Sequence, residues 1–74
     1  MKYVLYAQLH RLDYRILVIV TALPREESRP LDAFSVSRIA GSEDQARALV
    51  RELVAEAREK VQAGGGEVAE IREA

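Results

Sequence analysis

Few side chains in this sequence have the type and spacing to do chemistry. The one histidine, His10, stands near Asp13 and Arg15, and an imidazole beside a carboxylate can move protons near neutral pH. Such a pair needs a nucleophile or a second base held in register, yet there is no cysteine, and no serine or second histidine flanks it. His10 is therefore expected to be a solvent-facing strand residue. The carboxylate pairs Glu26-Glu27 and Glu43-Asp44 are sequence neighbours, whereas hydrolytic carboxylates face one another across a cleft. Gly64, Gly65 and Gly66 lack the following helix and the Lys-Ser or Lys-Thr of a phosphate-binding loop, which leaves them as a helix stop and a flexible link. Without cysteine there is no disulfide, thiolate or cysteine zinc site, and one histidine does not make a histidine metal site. The expectation is a non-enzyme with no metal and no cofactor.

The elements that would carry these residues must come from one small domain. The chain has 74 residues, 49% hydrophobic and 31% charged, which is globular composition in an amount sufficient for a single unit over residues 1–74. A chain of this size hides only about 60% of its unfolded surface when it folds alone, so a partner becomes useful. Eleven Lys and Arg against twelve Asp and Glu give a net charge of −1, and whole-molecule attraction to nucleic acid or to an anionic membrane is not expected. The longest apolar stretch, Ile16 to Val20, is far short of a bilayer span, and the first residues do not follow the order of a signal peptide. A cytoplasmic protein without membrane contact is expected.

Two β-rich runs, Lys2 to Arg11 and Tyr14 to Leu23, are broken by Leu12-Asp13 and predict a hairpin. A two-residue loop would pair Tyr3 with Ala22, Leu5 with Val20, Ala7 with Val18 and Leu9 with Ile16, a uniformly apolar face. The other face would be mixed, with Val4, Tyr6, Gln8 and His10 beside Thr21, Ile19, Leu17 and Arg15. Pro24 to Asp32, with two prolines and the charges Arg25, Glu26, Glu27 and Arg29, reads as an exposed, mobile loop. Ala33 to Ala40 suits a third strand, with Phe34, Val36, Arg38 and Ala40 alternating against Ser35, Ser37 and Ile39.

The helix is written most plainly. Ala46, Leu49, Val50, Leu53, Val54, Ala57 and Val61 recur at intervals of three and four and form one stripe. Ser42 followed by Gln45 makes a capping box, Glu43 and Asp44 suit the positive dipole end, and Gly64 is expected as the left-handed residue that ends the helix. Glu67 to Glu73 follows as a short fourth strand around Val68 and Ile71. The fold class is α+β, an antiparallel three-stranded meander with one amphipathic helix on one face and a short C-terminal strand, in the order β-β-β-α-β.

One helix covers one face of such a sheet. Val4, Tyr6, Leu17 and Ile19, with Leu23 beside them, then form an apolar patch of the kind that soluble monomers avoid, and they are the expected interface of a homo-oligomer, a dimer or a tetramer. A second feature lies on the helix, where Arg47, Arg51 and Arg58 fall within about 40° of one another while Glu52, Glu56 and Glu59 gather elsewhere. That stripe suits an acidic partner or phosphates, and split charge faces are also common on solvated helices. Arg38, and Arg25 or Arg29, are candidates to enlarge it.

An opening Met1-Lys2-Tyr3 strand, a second strand ending Ala22-Leu23-Pro24, and Gly41-Ser42-Glu43-Asp44-Gln45-Ala46 leading into an amphipathic helix resemble the HicB-type antitoxin family over the length from residue 1 to the end of the helix. The resemblance implies a double-stranded-RNA-binding fold lacking its first helix, a dimer or tetramer, and a surface that masks a small partner protein without catalysis. The family's Pro-Gly-Cys after the second strand is replaced by the longer Pro24 to Asp32 loop, and no DNA-binding helix-turn-helix or ribbon-helix-helix follows. In the double-stranded-RNA binders themselves the last helix starts with a basic cluster, where this chain has Ser42-Glu43-Asp44, which argues against RNA. Dodecin-type flavin binders stack the flavin on tryptophan, and this chain has none. The expected function is a self-associating binding module for a partner protein, with nucleic-acid binding through the arginine stripe as the alternative.

Overall fold

A computed structural model describes residues 1–25 and 33–73. Strands β1 (Lys2–Arg11), β2 (Ile16–Pro24) and β3 (Phe34–Ala40) precede helix α1 (Glu43–Ala63) and strand β4 (Glu67–Glu73). The four strands form one sheet in the order β3-β2-β1-β4, antiparallel through the meander and parallel between β1 and β4. The expected α+β class and element order are therefore present. Of the expected loop Pro24 to Asp32, Pro24 closes β2, and residues 26–32, which include Glu26, Glu27 and Arg29, lie outside the described residues.

The hairpin register differs from the expected one. Leu5 lies opposite Ala22, Ala7 opposite Val20, Leu9 opposite Val18 and Arg11 opposite Ile16. Leu12-Asp13 lacks the left-handed residues that a two-residue turn demands. The turn therefore takes Leu12 to Arg15, closed by the Leu12 N–H donating to the Arg15 carbonyl at 2.8 Å, and Tyr14 leaves the strand to stand 92% exposed. A slip of two residues equals the side-chain period of a strand, so every side chain keeps its expected face. Pro24 is tolerated because its missing N–H points to the β3 side, where pairing stops at Ala22 and Phe34.

The helix lies against the face carrying Leu5, Ala7, Val18, Val20 and Ala22, and buries Ala46, Leu53, Ala57 and Val61 there, with Val36 and Ala40 from β3. Tyr3, Leu9, Phe34, Leu49, Val50, Val54 and Val68 pack around that centre. Among the described residues no polar or charged side chain is buried.

Both helix ends carry the expected signals, with two local differences. The Ser42 side chain accepts from the Gln45 N–H at 3.2 Å, while Gln45 Oε1 reaches back past Ser42 to accept from the Gly41 N–H at 2.7 Å. At the other end Gly64 has φ −86° and the left-handed residue is Gly65, at φ +84°. The Gly65 N–H donates to the Gln62 carbonyl at 3.0 Å and the Gly66 N–H to the Val61 carbonyl at 2.9 Å, a complete Schellman closure one residue later than expected. The Glu67 N–H then donates to the Met1 carbonyl at 3.0 Å and starts β4 along β1.

A two-pronged ion pair fastens the helix start to the sheet: Arg11 donates from Nε to Glu43 Oε1 at 2.8 Å and from Nη2 to Oε2 at 3.2 Å. The hydrogen bond from Arg11, with its charge and that of Arg47 adding to it, holds the Glu43 carboxyl below its usual range, and the same bond raises Arg11. A carboxyl lowered in the folded state stabilises above its unfolded pKa and loses that contribution as pH falls through the folded value. Arg11→Met is accordingly expected to lower the urea midpoint slightly at pH 7, and the gap from the native chain is expected to close toward pH 3. A gap that persists or widens in acid contradicts the pairing.

Candidate functional site

Two surfaces stand out from the rest of the molecule. The first is the sheet face away from the helix, where strand pairing sets Tyr6 beside Thr21, Gln8 beside Ile19, and His10 beside Leu17. From β3, Ser35, Ser37 and Ile39 join it opposite Thr21, Ile19 and Leu17. Tyr6, Leu17 and Ile19 are half-buried, Leu23 is 40% exposed and Ile39 is 54% exposed. Val4, expected in the same patch, is on this face but only 7% exposed within the single chain, so it has little left to contribute to a contact. Ile39 replaces it, and its place was readable from the alternation of the third strand. The β4 side of the face is polar, with Arg72 held by Glu70 at 2.9 Å and lying 5.9 Å from the centre of the Tyr6 ring.

His10 is exposed on this face, with Gln8 Oε1 3.4 Å from its Nε2, so the expected solvent-facing placement holds. Among the described residues no three His, Cys, Asp or Glu side chains are grouped to hold a metal ion.

The second surface is a groove. The helix leans over β2 and β3 and touches β1 and β4 more lightly, which leaves a hollow along the β1 and β4 side. One part, of about 350 Å³, is lined by Ala7, Leu9, Arg47, Val50, Arg51 and Glu73. A second part, of about 290 Å³, shares Val50, Arg51 and Glu73 with it and continues past Val54 to Arg58 and Ile71. The three arginines read from the helical spacing, Arg47, Arg51 and Arg58, thus line one groove. Arg47 lies 3.7 Å from Asp44 one turn earlier, while Arg51 and Arg58 have no ion-pair partner among the described residues.

Of the other expected arginines, Arg38 and Arg25 do not enlarge the stripe. Arg38 is on the opposite flank of the helix, where it meets Glu56 at 3.4 Å; Lys60 lies 4.0 Å from the same carboxylate and 6.0 Å from the centre of the Phe34 ring. Arg25 borders a hollow at the open sheet face with Tyr6, Leu23 and Arg72. Arg29 lies outside the described residues. Among the described residues no helix is long and apolar enough to cross a membrane. Comparison with known protein families, with curated proteins and with solved structures gives no match.

Proposed function

We propose that this chain is a non-catalytic binding module that self-associates through its open sheet face and, so assembled, holds a partner protein. The observation that carries this reading is the row formed by Tyr6, Leu17, Ile19, Leu23 and Ile39, which spans three strands with the only helix of the described residues committed to the opposite face. A two-fold contact would set the row against its own copy, burying each apolar side chain twice per interface. The resemblance to the HicB-type antitoxins supports a small protein as partner and the cytoplasm as the compartment. Nucleic acid is the weaker alternative, because the arginines border a concave apolar groove and Glu43 and Asp44 occupy the first helical turn.

Light scattering on the full chain tests self-association. The native chain is expected at a dimeric or tetrameric multiple of 8.3 kDa, and Ile19→Glu at 8.3 kDa with an unchanged circular dichroism spectrum. A glutamate placed there would bring an unpaired charge into every interface, which is among the most disruptive single changes available. A native chain that runs as a monomer at micromolar concentration overturns the proposal.

A further inference from the structure

The outward side of α1 carries a pattern that neither the core nor the groove uses. Arg51-Glu52 and Arg58-Glu59 are the same pair of neighbours repeated after seven residues, and Ala48, Ala55 and Gln62 recur at the same interval. A seven-residue repeat makes a nearly straight line along a helix, drifting by only about 20° per repeat. Arg51 and Arg58 fall about 50° to one side of the line through Ala48, Ala55 and Gln62, and Glu52 and Glu59 about 50° to the other. The line runs opposite the buried stripe of Ala46, Leu53, Ala57 and Val61, and along it Ala55 and Gln62 are exposed and Ala48 is half-buried. The arginine flank borders β4 at Ile71, while the glutamate flank is the side on which Glu56 meets Arg38 of β3.

Neighbours in sequence do not face each other on a helix, so Arg51 and Arg58 do not pair with Glu52 and Glu59 of their own chain. Among the described residues none of the four has an ion-pair partner. A ridge with one charge sign on each flank matches a copy of itself in a single sense. Two copies laid antiparallel would set arginines against arginines. Two copies laid parallel, about a two-fold axis along the helices, set the arginine flank of each against the glutamate flank of the other. Arg51 then lies level with Glu52 of the second copy, and Arg58 with its Glu59, to within one residue rise of about 1.5 Å. The preceding repeat is Asp44 and Gln45, a carboxylate against an amide, so no like charges meet there. The alanines have too little bulk to hold the helices apart, and the charges on the flanks choose the occupant.

We propose that the outward face of α1 is a second contact between copies of this chain, two parallel helices with Arg51 and Arg58 of each paired to Glu52 and Glu59 of the other. The contact lies across the molecule from the open sheet face and does not depend on it. Exposed ion pairs are individually weak, so it fills well above the micromolar range in which the sheet face is tested.

The chain has no cysteine, so a single introduced thiol reports which positions meet. In full chains that also carry Ile19→Glu, to remove the sheet-face contact, Gln62→Cys and Ala48→Cys are each expected to give a disulfide-linked dimer in a glutathione redox buffer. The dimer fraction is expected to exceed that of Asp13→Cys, in the exposed hairpin turn, by at least about tenfold. A mixture of Ala48→Cys and Gln62→Cys chains is expected to give mostly the two homodimers; a dominant mixed dimer means antiparallel helices and overturns the proposal. Arg51→Glu with Arg58→Glu, or Glu52→Arg with Glu59→Arg, is expected to bring the Gln62→Cys dimer down to the Asp13→Cys level. Mixing these two reversed chains is expected to restore it, as a dimer of one with the other. Cross-linking that only matches Asp13→Cys, that ignores the reversals or that mixing does not restore overturns the proposal. The four charged residues are exposed, so the variants keep the fold, which circular dichroism checks. A native chain that is monomeric by light scattering removes the sheet-face reading alone, because the cross-links decide this one without it.

Discussion

Leu53→Ala is expected to lower the stability of the chain by about 2–5 kcal/mol, enough to bring its thermal midpoint down by more than about 10 °C. Leu53 is almost wholly buried at the middle of the helix stripe, with Leu5, Val18 and Val20 in the same core. Deleting its branched end removes apolar contact and leaves a cavity that a single helix resting on a sheet can fill only by tilting. A domain of this size has a total stability of roughly 4–11 kcal/mol, so the loss is a large share of it. Val54→Ala, one position on and at the half-buried groove wall, is expected to cost clearly less. Urea unfolding followed by circular dichroism measures both. A Leu53→Ala loss below about 1 kcal/mol, or a larger loss at Val54, contradicts the described packing of the helix.

Gly66→Ala is expected to be the most damaging substitution among the three glycines, at about 1–3 kcal/mol. A Cβ there would lie 2.9 Å from the Tyr3 ring and 3.1 Å from the Met1 carbonyl oxygen, which already accepts from Glu67. The ring packs against the core and the carbonyl is backbone, so neither yields cheaply. Gly65→Ala meets no atom within 4 Å but must hold φ +84°, a strain of about 1–2 kcal/mol for a residue with a Cβ. Gly64→Ala is compatible with its φ of −86° and finds only ordinary contacts at 3.7 Å, so it is expected to be close to neutral. The order of loss, Gly66 before Gly65 before Gly64, can be read from three urea midpoints. Amide exchange adds locality, because the clash at Gly66 sits where β4 begins and should accelerate exchange along β4 before it does so in the helix. Equal losses at all three glycines would mean that the turn carries no positional demand.

The alternation of apolar and polar residues in the first two strands was enough to assign every side chain to a face, and the slip of two residues in the hairpin left that assignment intact. The slip itself was hidden because Leu12-Asp13 resembles no favoured turn, and nothing in the composition of Tyr14 and Arg15 marks them as turn rather than strand. The helix was legible from end to end, since cap, stripe and stop are local signals. The left-handed position was missed by one because all three candidates are glycine and side-chain chemistry cannot rank them.

The sites divided along the same line. Spacing alone brought Arg47, Arg51 and Arg58 together, because the helical period is fixed. That they line a groove depends on where the helix leans and on β4 choosing the β1 edge in parallel orientation, and both are set by long-range contacts. Val4 was placed on the correct face, but its burial follows from how neighbouring side chains lie over it, which no periodicity records.

The strand order has a consequence for the growing chain. Of the four strands described, β1 is made before the others and takes as its neighbours both β2, which follows it directly, and β4, whose pairing joins Lys2 to Glu67. During synthesis the meander and the helix can assemble while one whole edge of β1 stays bare, because its second neighbour is encoded beyond the glycine turn. The duration of that exposure is set by translation of the intervening helix, not by the stability of the finished sheet. Bare strand edges invite pairing with other chains, and once β4 is in place the shorter, charge-rich β4 takes over as the edge from the longer β1. The interval before β4 emerges is thus when the nascent chain is most open to capture, by a correct partner or a wrong one.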